Sequence, residues 1–330
     1  MATLDHVAQH AGVSKATASR ALSKPALVSP ATVARVLDSA RVLGFVPNRT
    51  AQALAGGRTG LVAIVVPTLE NSFFTPIIRG AQEQAAASDL HLTIAVHGLD
   101  SPGDIAALET LSRQVDGFLI AAPRGDDEVI AAAAAGIPSV LIDREIHGLP
   151  SVSADTATAF GELARGLIDR GHTTIAFVGG PDRSWQNAQR ITAVRREAAG
   201  RSELTVLGPY PATVASGVEA AAAVVASGAT AVISYAASIS LGLIFGLNAR
   251  GLAVPGDVVV SADDGVVAAL GLRGAPSIEV DGEELGRLAM QRLVEQIGEH
   301  GHGPSTDAGT DAGTDAQAKL AVPVRWSAAD

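Results

Sequence analysis

The 330-residue sequence predicts two architectures in one chain: a small all-α head, then an α/β body of two doubly wound lobes with parallel sheets. Three observations predict it. Charge changes sign along the chain: seven Lys or Arg against two Asp leave residues 1–60 at +5, so the rest carries −15 within a total of −10. Those sixty residues hold the punctuation of three short helices. From Leu61 onward, short aliphatic stretches alternate with Ala-rich helical ones, which implies parallel sheets. More than six such β/α units is a lot for one sheet, so a second is expected to begin near Phe160. Length agrees, since roughly 150 residues per domain gives about two domains.

Composition removes several functions. With 47% hydrophobic residues and few aromatics (7 Phe, 2 Tyr, 2 Trp), an aliphatic core is well supplied and global disorder is excluded. There is no cysteine, so disulfides, thiolate metal sites and cysteine nucleophiles are excluded. Residues 1–6 show neither a basic n-region nor an apolar h-region, which argues for a cytoplasmic chain rather than an exported one. Residues 220–249 carry no charge and are long enough to span a bilayer. Ser227-Gly228 interrupts them, so they read as helix, short buried strand, helix.

In the head, Thr3 can cap a helix whose apolar positions Leu4, Val7, Ala8 and Ala11 share one face. Gly12 permits a tight turn. Ser14 caps a second helix to about Leu22, with Ala18, Ala21 and Leu22 buried and Ala16 and Arg20 facing away. Ser29-Pro30 starts a third helix, which Val33, Leu37, Ala40 and Leu43 continue to a stop at Gly44. Helix, four-residue turn, helix and a supporting third helix is helix–turn–helix spacing. The second helix could then enter a DNA major groove. Arg20 can be bidentate to guanine and Lys15 can donate to guanine or phosphate, while Ser14, Thr17 and Ser19 suit phosphate oxygens. A basic three-helix bundle with no DNA role is the alternative.

Residues Thr3-Leu4-Asp5-His6-Val7-Ala8, Ala11-Gly12-Val13-Ser14-Lys15-Ala16-Thr17-Ala18-Ser19-Arg20-Ala21-Leu22 and Leu43-Gly44-Phe45-Val46-Pro47-Asn48-Arg49 together resemble the headpiece of lactose/galactose-repressor-type regulators. Ala18 and Ser23 depart conservatively, where the family often has Val and Asn. The resemblance implies base reading by Lys15, Ala16 and Arg20, with Asn48 and Arg49 joining the phosphate contacts. It also implies a hinge helix over Asn48–Ala55 that forms on DNA, with Leu54 wedged between base steps in the minor groove. Eight residues make a marginal helix alone, so pairing on DNA could decide whether it forms. A plain linker with Leu54 packed on the body is the alternative.

In the body the expected strands are 61–66, 92–96, 117–121, 139–142, 175–178, 231–234 and 258–261. The expected helices are 75–87, 104–114, 127–135, 157–170, 187–199, 214–226 and 238–250. The two lobes resemble the periplasmic-binding-protein type I body of the same family, which implies that residues 282–298 return to the first lobe and 321–326 to the second. The organisation expected is a headpiece at 1–46 and a hinge at 47–59. A first lobe follows at 60–158 and 282–300, a second at 159–281 and 319–330, and a low-complexity Thr-Asp-Ala-Gly loop fills 301–318.

Ligands of open α/β lobes sit beyond the carboxyl ends of the strands, so residues following each strand name the candidate effector site. These are Asn71, Phe73 and Phe74, then Asp143 and Arg144, Trp185 and Arg190, Tyr235, and Asp263. Polar groups beside aromatic faces suit a sugar or nucleoside. Core packing of the two Phe and helix capping by the acids remain open alternatives; Arg190 and Asp263 match the family's polar ligand positions. Where the family usually has Asn-Asp, this sequence has Ala236-Ala237 after Tyr235. That departure removes polar groups from one wall and favours an aromatic, less hydroxylated or phosphorylated effector, or none.

Enzyme signatures are missing: no phosphate-binding loop motif, no dinucleotide fingerprint and no nucleophile elbow. Gly179-Gly180-Pro181 reads as a tight strand-to-helix turn. His300 and His302 lack a third metal ligand at evident spacing. No metal or cofactor is expected. The function expected is a DNA-binding transcriptional regulator, a repressor, bound to a pseudo-palindromic operator as a homodimer, with a tetramer left open, and modulated by a small-molecule effector. A cytoplasmic small-molecule-binding protein without DNA function is the alternative.

Overall fold

The computed structural model describes residues 2–23, 27–45, 58–300 and 317–327. The chain divides into two units, Met1–Gly60 and Leu61–Asp330. The expected hinge residues Asn48, Arg49 and Leu54, and the repeats of residues 301–316, lie outside the described residues.

The head unit consists of α1 (Leu4–Ala11), α2 (Lys15–Ser23) and α3 (Pro30–Val42). Thr3 caps α1: its hydroxyl accepts from the His6 amide, while the His6 ring returns a bond to the Thr3 amide, a reciprocal box with histidine in place of the usual Glu. Val7, Ala8 and Ala11 meet Ala18, Ala21, Val36 and Ala40 in one small core. Every member but the two valines is alanine, so the helix axes approach closely.

The first lobe runs β1 (Leu61–Val66), α4 (Phe74–Ala87), β2 (His91–Val96), α5 (Pro102–Leu111), β3 (Phe118–Ala121), α6 (Asp127–Ala134), β4 (Ser139–Ile142) and β5 (Ser151–Ala154). The second runs α7 (Thr156–Asp169), β6 (Thr174–Val178), α8 (Trp185–Ala198), β7 (Glu203–Leu207) and α9 (Val214–Ser227). It continues through β8 (Ala231–Ser234), α10 (Ala237–Asn248), β9 (Val259–Val260), α11 (Asp264–Leu270) and β10 (Pro276–Ile278). The chain returns to the first lobe with α12 (Gly282–His300) and β11 (Gln317–Leu320), then reaches the second again with β12 (Val324–Trp326).

The first sheet has the order β11-β5-β4-β3-β1-β2 and the second β7-β6-β8-β9, all parallel, while β10 and β12 form an antiparallel ribbon. Strand β1 shows why its sequence is uninterrupted Leu-Val-Ala-Ile-Val-Val. Val62, Ile64 and Val66 face α4 and α12, whereas Ala63 and Val65 face the opposite core, so both sides of the strand are buried. The second sheet is likewise covered on both faces. The uncharged stretch 220–249 forms most of α9, then β8 and α10. Among the described residues no helix is long and apolar enough to cross a membrane.

Two helix pairs touch backbone to backbone. In the first lobe, a Cβ on Gly80 would overlap the Glu283 carbonyl, and one on Gly286 the Ile77 carbonyl. In the second, Gly217 and Gly242 stand in the same relation to the carbonyls of Ile239 and Val214. These seams clamp α4 on α12 and α9 on α10.

Three segments cross between the lobes: 155, 279–281 and 321–323. They are bundled by a small cluster in which Ala154, Ala159 and Val322 are buried, with Val280 packed against them. The Asp155 amide donates to Leu320 O at 2.8 Å. The expected boundaries shift here. Lys319 and Leu320, assigned to the second lobe, pair with Ser153 and Ala154 in the first sheet, and Gln317 and Ala318 are strand rather than loop. The cause is the register of β11 on β5, which leaves only residues beyond the crossing free to reach β10. Helix α7 begins at Thr156, three residues before the expected start of the second lobe. Strands β5, β7, β10 and β11 and helix α11 were not expected at all.

Candidate functional site

The head exposes one face of α2. Ala18 and Ala21 are buried, which leaves Lys15, Ala16 and Arg20 exposed and Thr17 and Ser19 half-buried. Ser14 Oγ accepts from the Thr17 amide at 3.1 Å and pairs with the Thr17 hydroxyl at 2.9 Å. It thereby fixes the first turn where phosphate donors are expected. Lys15 Nζ donates to Asp5 Oδ2 on α1 at 2.8 Å, which holds the ammonium at the exposed rim of the two helices.

In the body, the carboxyl ends of both sheets meet at a cleft that holds two adjoining cavities. The inner one, about 320 Å³, takes in Asn71, Phe73, Phe74, Asp143, Arg190, Tyr235 and Asp263. Seven of the nine expected effector residues therefore converge. The other two do not reach it. Arg144 is buried and donates to Asp127 Oδ1 at 2.5 Å and to the Gly125 carbonyl at 3.3 Å, so it ties down the start of α6. Trp185 opens α8 half-buried and lines neither cavity.

Phe73 and Phe74 meet edge to face, with centroids 5.6 Å apart, and the Phe73 amide donates to Asn71 Oδ1 at 3.2 Å. Arg190 lies between two aromatic faces, its guanidinium 4.7 Å from the Phe160 ring centre and 4.8 Å from that of Tyr235. Its Nε donates to Thr156 Oγ1 at 3.0 Å and its Nη1 to the Tyr235 carbonyl at 2.8 Å. Burial pulls its pKa below the usual arginine range, partly offset by Tyr235 and Asp143.

Asp143 sits on left-handed backbone (φ 54°). Its Oδ1 accepts from the Ala154 amide at 2.9 Å, but Oδ2 is buried with no hydrogen-bond partner. Burial pushes this carboxyl above its usual range, against the pull of the Ala154 amide, Arg190 and the neighbouring Gln186 amide. Gln186 Nε2 is likewise buried and unpartnered, while its Oε1 accepts from Thr156 at 2.8 Å. Asp263 both caps α11, through a 2.7 Å bond from the Val266 amide, and lines the cavity, so the capping and ligand readings coexist. Glu279 also lines it; its hydrogen bond with Asp264 raises its pKa, and Arg325 bridges the two acids.

Sequence reasoning missed Thr156, Phe160, Gln186 and Glu279. Thr156 and Gln186 meet only because α7 packs on α8, and no local signal announces that. Ser240, one turn into α10, puts a hydroxyl on the wall where Ala236 and Ala237 stand.

The outer cavity, about 500 Å³, shares Asn71, Phe74, Ala122 and Tyr235 with the inner one and adds Arg124, Asp182 and Tyr210 among prolines. Tyr235 is the partition. Its amide donates to the Val178 carbonyl at 2.9 Å and its hydroxyl meets Ser184 Oγ at 3.1 Å. A Cβ on Gly180 would overlap its ring, which gives the Gly179-Gly180-Pro181 turn its reason. At the rim, Arg183 of the second lobe donates to Asp126 of the first at 2.6 Å. Among the described residues no group of three or more His, Asp or Glu could hold a metal ion.

Comparison with known proteins agrees with both units. Residues 3–48 match the model of bacterial regulatory proteins of the lacI family, and residues 59–329 that of periplasmic binding proteins and the sugar-binding domain of the same family. The chain is 30% identical to catabolite control protein A of Streptococcus mutans, over 89% of this chain and 90% of that one. It is 31% identical to the HTH-type transcriptional regulator CelR of Thermobifida fusca, over 89% and 92%. In fold it matches the lac repressor dimer bound to operator and the anti-inducer ONPF, at a TM-score of 0.81, 22% identity and 99% and 98% coverage.

Proposed function

The chain belongs to the LacI family of bacterial regulatory proteins, DNA-binding regulators and not enzymes, and on that premise we propose that it is a cytoplasmic repressor. It binds a pseudo-palindromic operator as a homodimer and answers to an uncharged, hydroxyl-bearing effector in the cleft of its body. The observation that carries the DNA reading is the single exposed face of α2, where Lys15, Ala16 and Arg20 stand clear of the alanine core. These three read bases, Ser14, Thr17, Ser19, Asn48 and Arg49 hold phosphates, and Leu54 kinks the duplex at its centre. Two-fold symmetry sets the two α2 helices on two half-sites.

For the effector, Asp143 Oδ2 and Gln186 Nε2 carry most weight: they are buried as neighbours, close enough for Gln186 to lower the Asp143 pKa, yet make no hydrogen bond of good geometry. One ligand hydroxyl can donate to the carboxylate while accepting from the amide, and so satisfies two buried groups that are costly to leave unmade. Three carboxyl groups, Asp143, Asp263 and Glu279, face the cavity against one guanidinium already held by Thr156 and Tyr235. That balance disfavours a phosphorylated effector and favours a sugar or nucleoside. Lobe closure around such a ligand changes the equilibrium at the 47–59 hinge, and DNA affinity moves by the ligand's differential binding to the two states.

A gel shift on operator fragments, with the full chain and with a chain lacking residues 1–58, tests the DNA role. Only the full chain is expected to bind, and undiminished binding by the truncated body overturns the reading in favour of a small-molecule binder without DNA function. Thermal-shift measurements against neutral sugars, nucleosides and sugar phosphates test the effector class, with stabilisation expected from the uncharged members.

A further inference from the structure

The first sixty residues set two acids, Asp5 and Asp38, against seven bases, and the two acids are placed differently. Asp38 pairs with Arg41 one turn along α3, at 2.8 Å, an exposed pair within a single helix. Asp5 reaches another helix: its Oδ2 accepts from Lys15 Nζ at 2.8 Å, and Lys15 is the first residue of α2. Among the described residues Arg20 makes no ion pair, so of the two cations proposed to read bases only Lys15 is answered by an acid. Asp5 is fixed independently of that lysine. It lies in the first turn of α1, beside the Thr3–His6 box, where the positive end of the helix favours a carboxylate. Both side chains of the pair are more than half exposed, at 62% and 55%, so it adds little to the stability of the head. Its effect falls instead on whatever approaches the start of α2.

We propose that Asp5 is a specificity-determining residue for DNA, an electrostatic gate that withholds Lys15 from phosphates and leaves it free for a base edge. This rests on the DNA-binding reading above and gives a role to a residue outside the expected contacts. The start of α2 attracts any duplex. It combines the positive end of the helix, the Lys15 ammonium and the Ser14 and Thr17 hydroxyls, and phosphates are the same at every sequence. A carboxylate 2.8 Å from the ammonium changes that balance. A phosphate that takes Lys15 must displace Asp5 and then stand beside a like charge, a repulsion met at every position along the duplex. A guanine edge instead offers Lys15 two neutral acceptors, O6 and N7. It does not carry a charge that repels the carboxylate, and the three ammonium protons allow both contacts together. The gate therefore weakens non-specific binding more than specific binding, and the ratio of the two is what finds one site among many.

Binding of the full chain to two duplexes across a range of salt tests this. One duplex is enriched by the unmodified chain from a randomised pool, and the other is a scrambled duplex of equal length and composition. In Asp5→Asn the scrambled duplex is expected to bind about fivefold tighter, the effect of one unit charge at a few ångströms in water, while affinity for the enriched duplex changes by less than about twofold. The salt slope on the scrambled duplex steepens by about one, because one more phosphate is neutralised. Asp5→Glu keeps the charge and is expected to retain most of the discrimination. Asp38→Asn makes the same change in net charge on α3 and is expected to leave the ratio of the two affinities within about twofold of the unmodified chain. An equal change on both duplexes in Asp5→Asn, or the same loss of discrimination in Asp38→Asn, overturns the gate and leaves DNA binding by the head intact. A full chain that enriches no duplex from the pool overturns the DNA reading, and the gate with it.

Discussion

Arg20 is exposed on α2, one turn and a half beyond the helix start. Its replacement by alanine is expected to cost about 1–3 kcal/mol of operator affinity and to relax base preference at one position. Binding measured on single-base operator variants checks this; a loss uniform across all of them would make Arg20 a phosphate contact. Asp143 poses the opposite balance. Burial raises its pKa, so its contribution to stability is present at low pH and is lost as pH rises through the raised value. Asp143→Asn keeps the bond from Ala154 and tolerates the left-handed backbone. It is expected to raise the neutral-pH melting temperature of the body by a few degrees, roughly 1 kcal/mol, while abolishing effector stabilisation. Scanning calorimetry at neutral and mildly acidic pH checks the sign, because the gain must shrink as the wild-type carboxyl protonates. At this scale sequence reading brought Asp143 and Arg190 to the inner cavity by their place after strands, and expected there Arg144, which does not line it. The φ of 54° at Asp143 swings adjacent side chains apart, and nothing in the dipeptide predicts that.

Among the elements, the rim contact between Arg183 and Asp126 is made at the expense of local order on both sides. Asp126 stands at the N-cap of α6 yet makes no capping bond, and Arg183 has a φ of 57°. Both side chains are well exposed, at 46% and 78%, so the pair contributes on the order of 0–1 kcal/mol to closure. Arg183→Gly relieves the backbone and removes the bridge. Effector dissociation followed by stopped flow is expected to quicken by up to about fivefold at low salt, with the difference fading at high salt. Apart from α11, which was not expected, the described helices were legible to within a few residues because caps and one-sided apolar spacing are local signals. The strands that escaped lack such a signal. Ser-Val-Ser-Ala of β5 is short and half polar, and β7 is an edge strand with none of its five residues fully buried. Each became a strand through its neighbour and not through its own composition.

For the molecule as a whole, the division into a +5 head and a −15 body was available from arithmetic, and the return of α12 to the first lobe followed from family resemblance. The double use of the last residues was not foreseeable, since β11 and β12 serve different lobes within ten residues. Trp326 lies 3.4 Å beneath the Arg170 guanidinium and presses on Gly166, while Gln317–Leu320 completes the first sheet. A chain ending at His300 is therefore expected to lose about 3 kcal/mol from Trp326 packing alone, roughly 6–12 °C in melting temperature for a unit this size. Calorimetry should show both lobes weakened together; a transition unmoved by the truncation would deny the tail any structural part. The glycine seams carry a different kind of consequence, one that belongs to variation over generations. At Gly80, Gly286, Gly217 and Gly242 the obstacle to a side chain is a carbonyl of the facing helix, which no compensating substitution can make smaller. Drift can rewrite nearly everything around these four sites, but at them even alanine is a closed door unless two helices part.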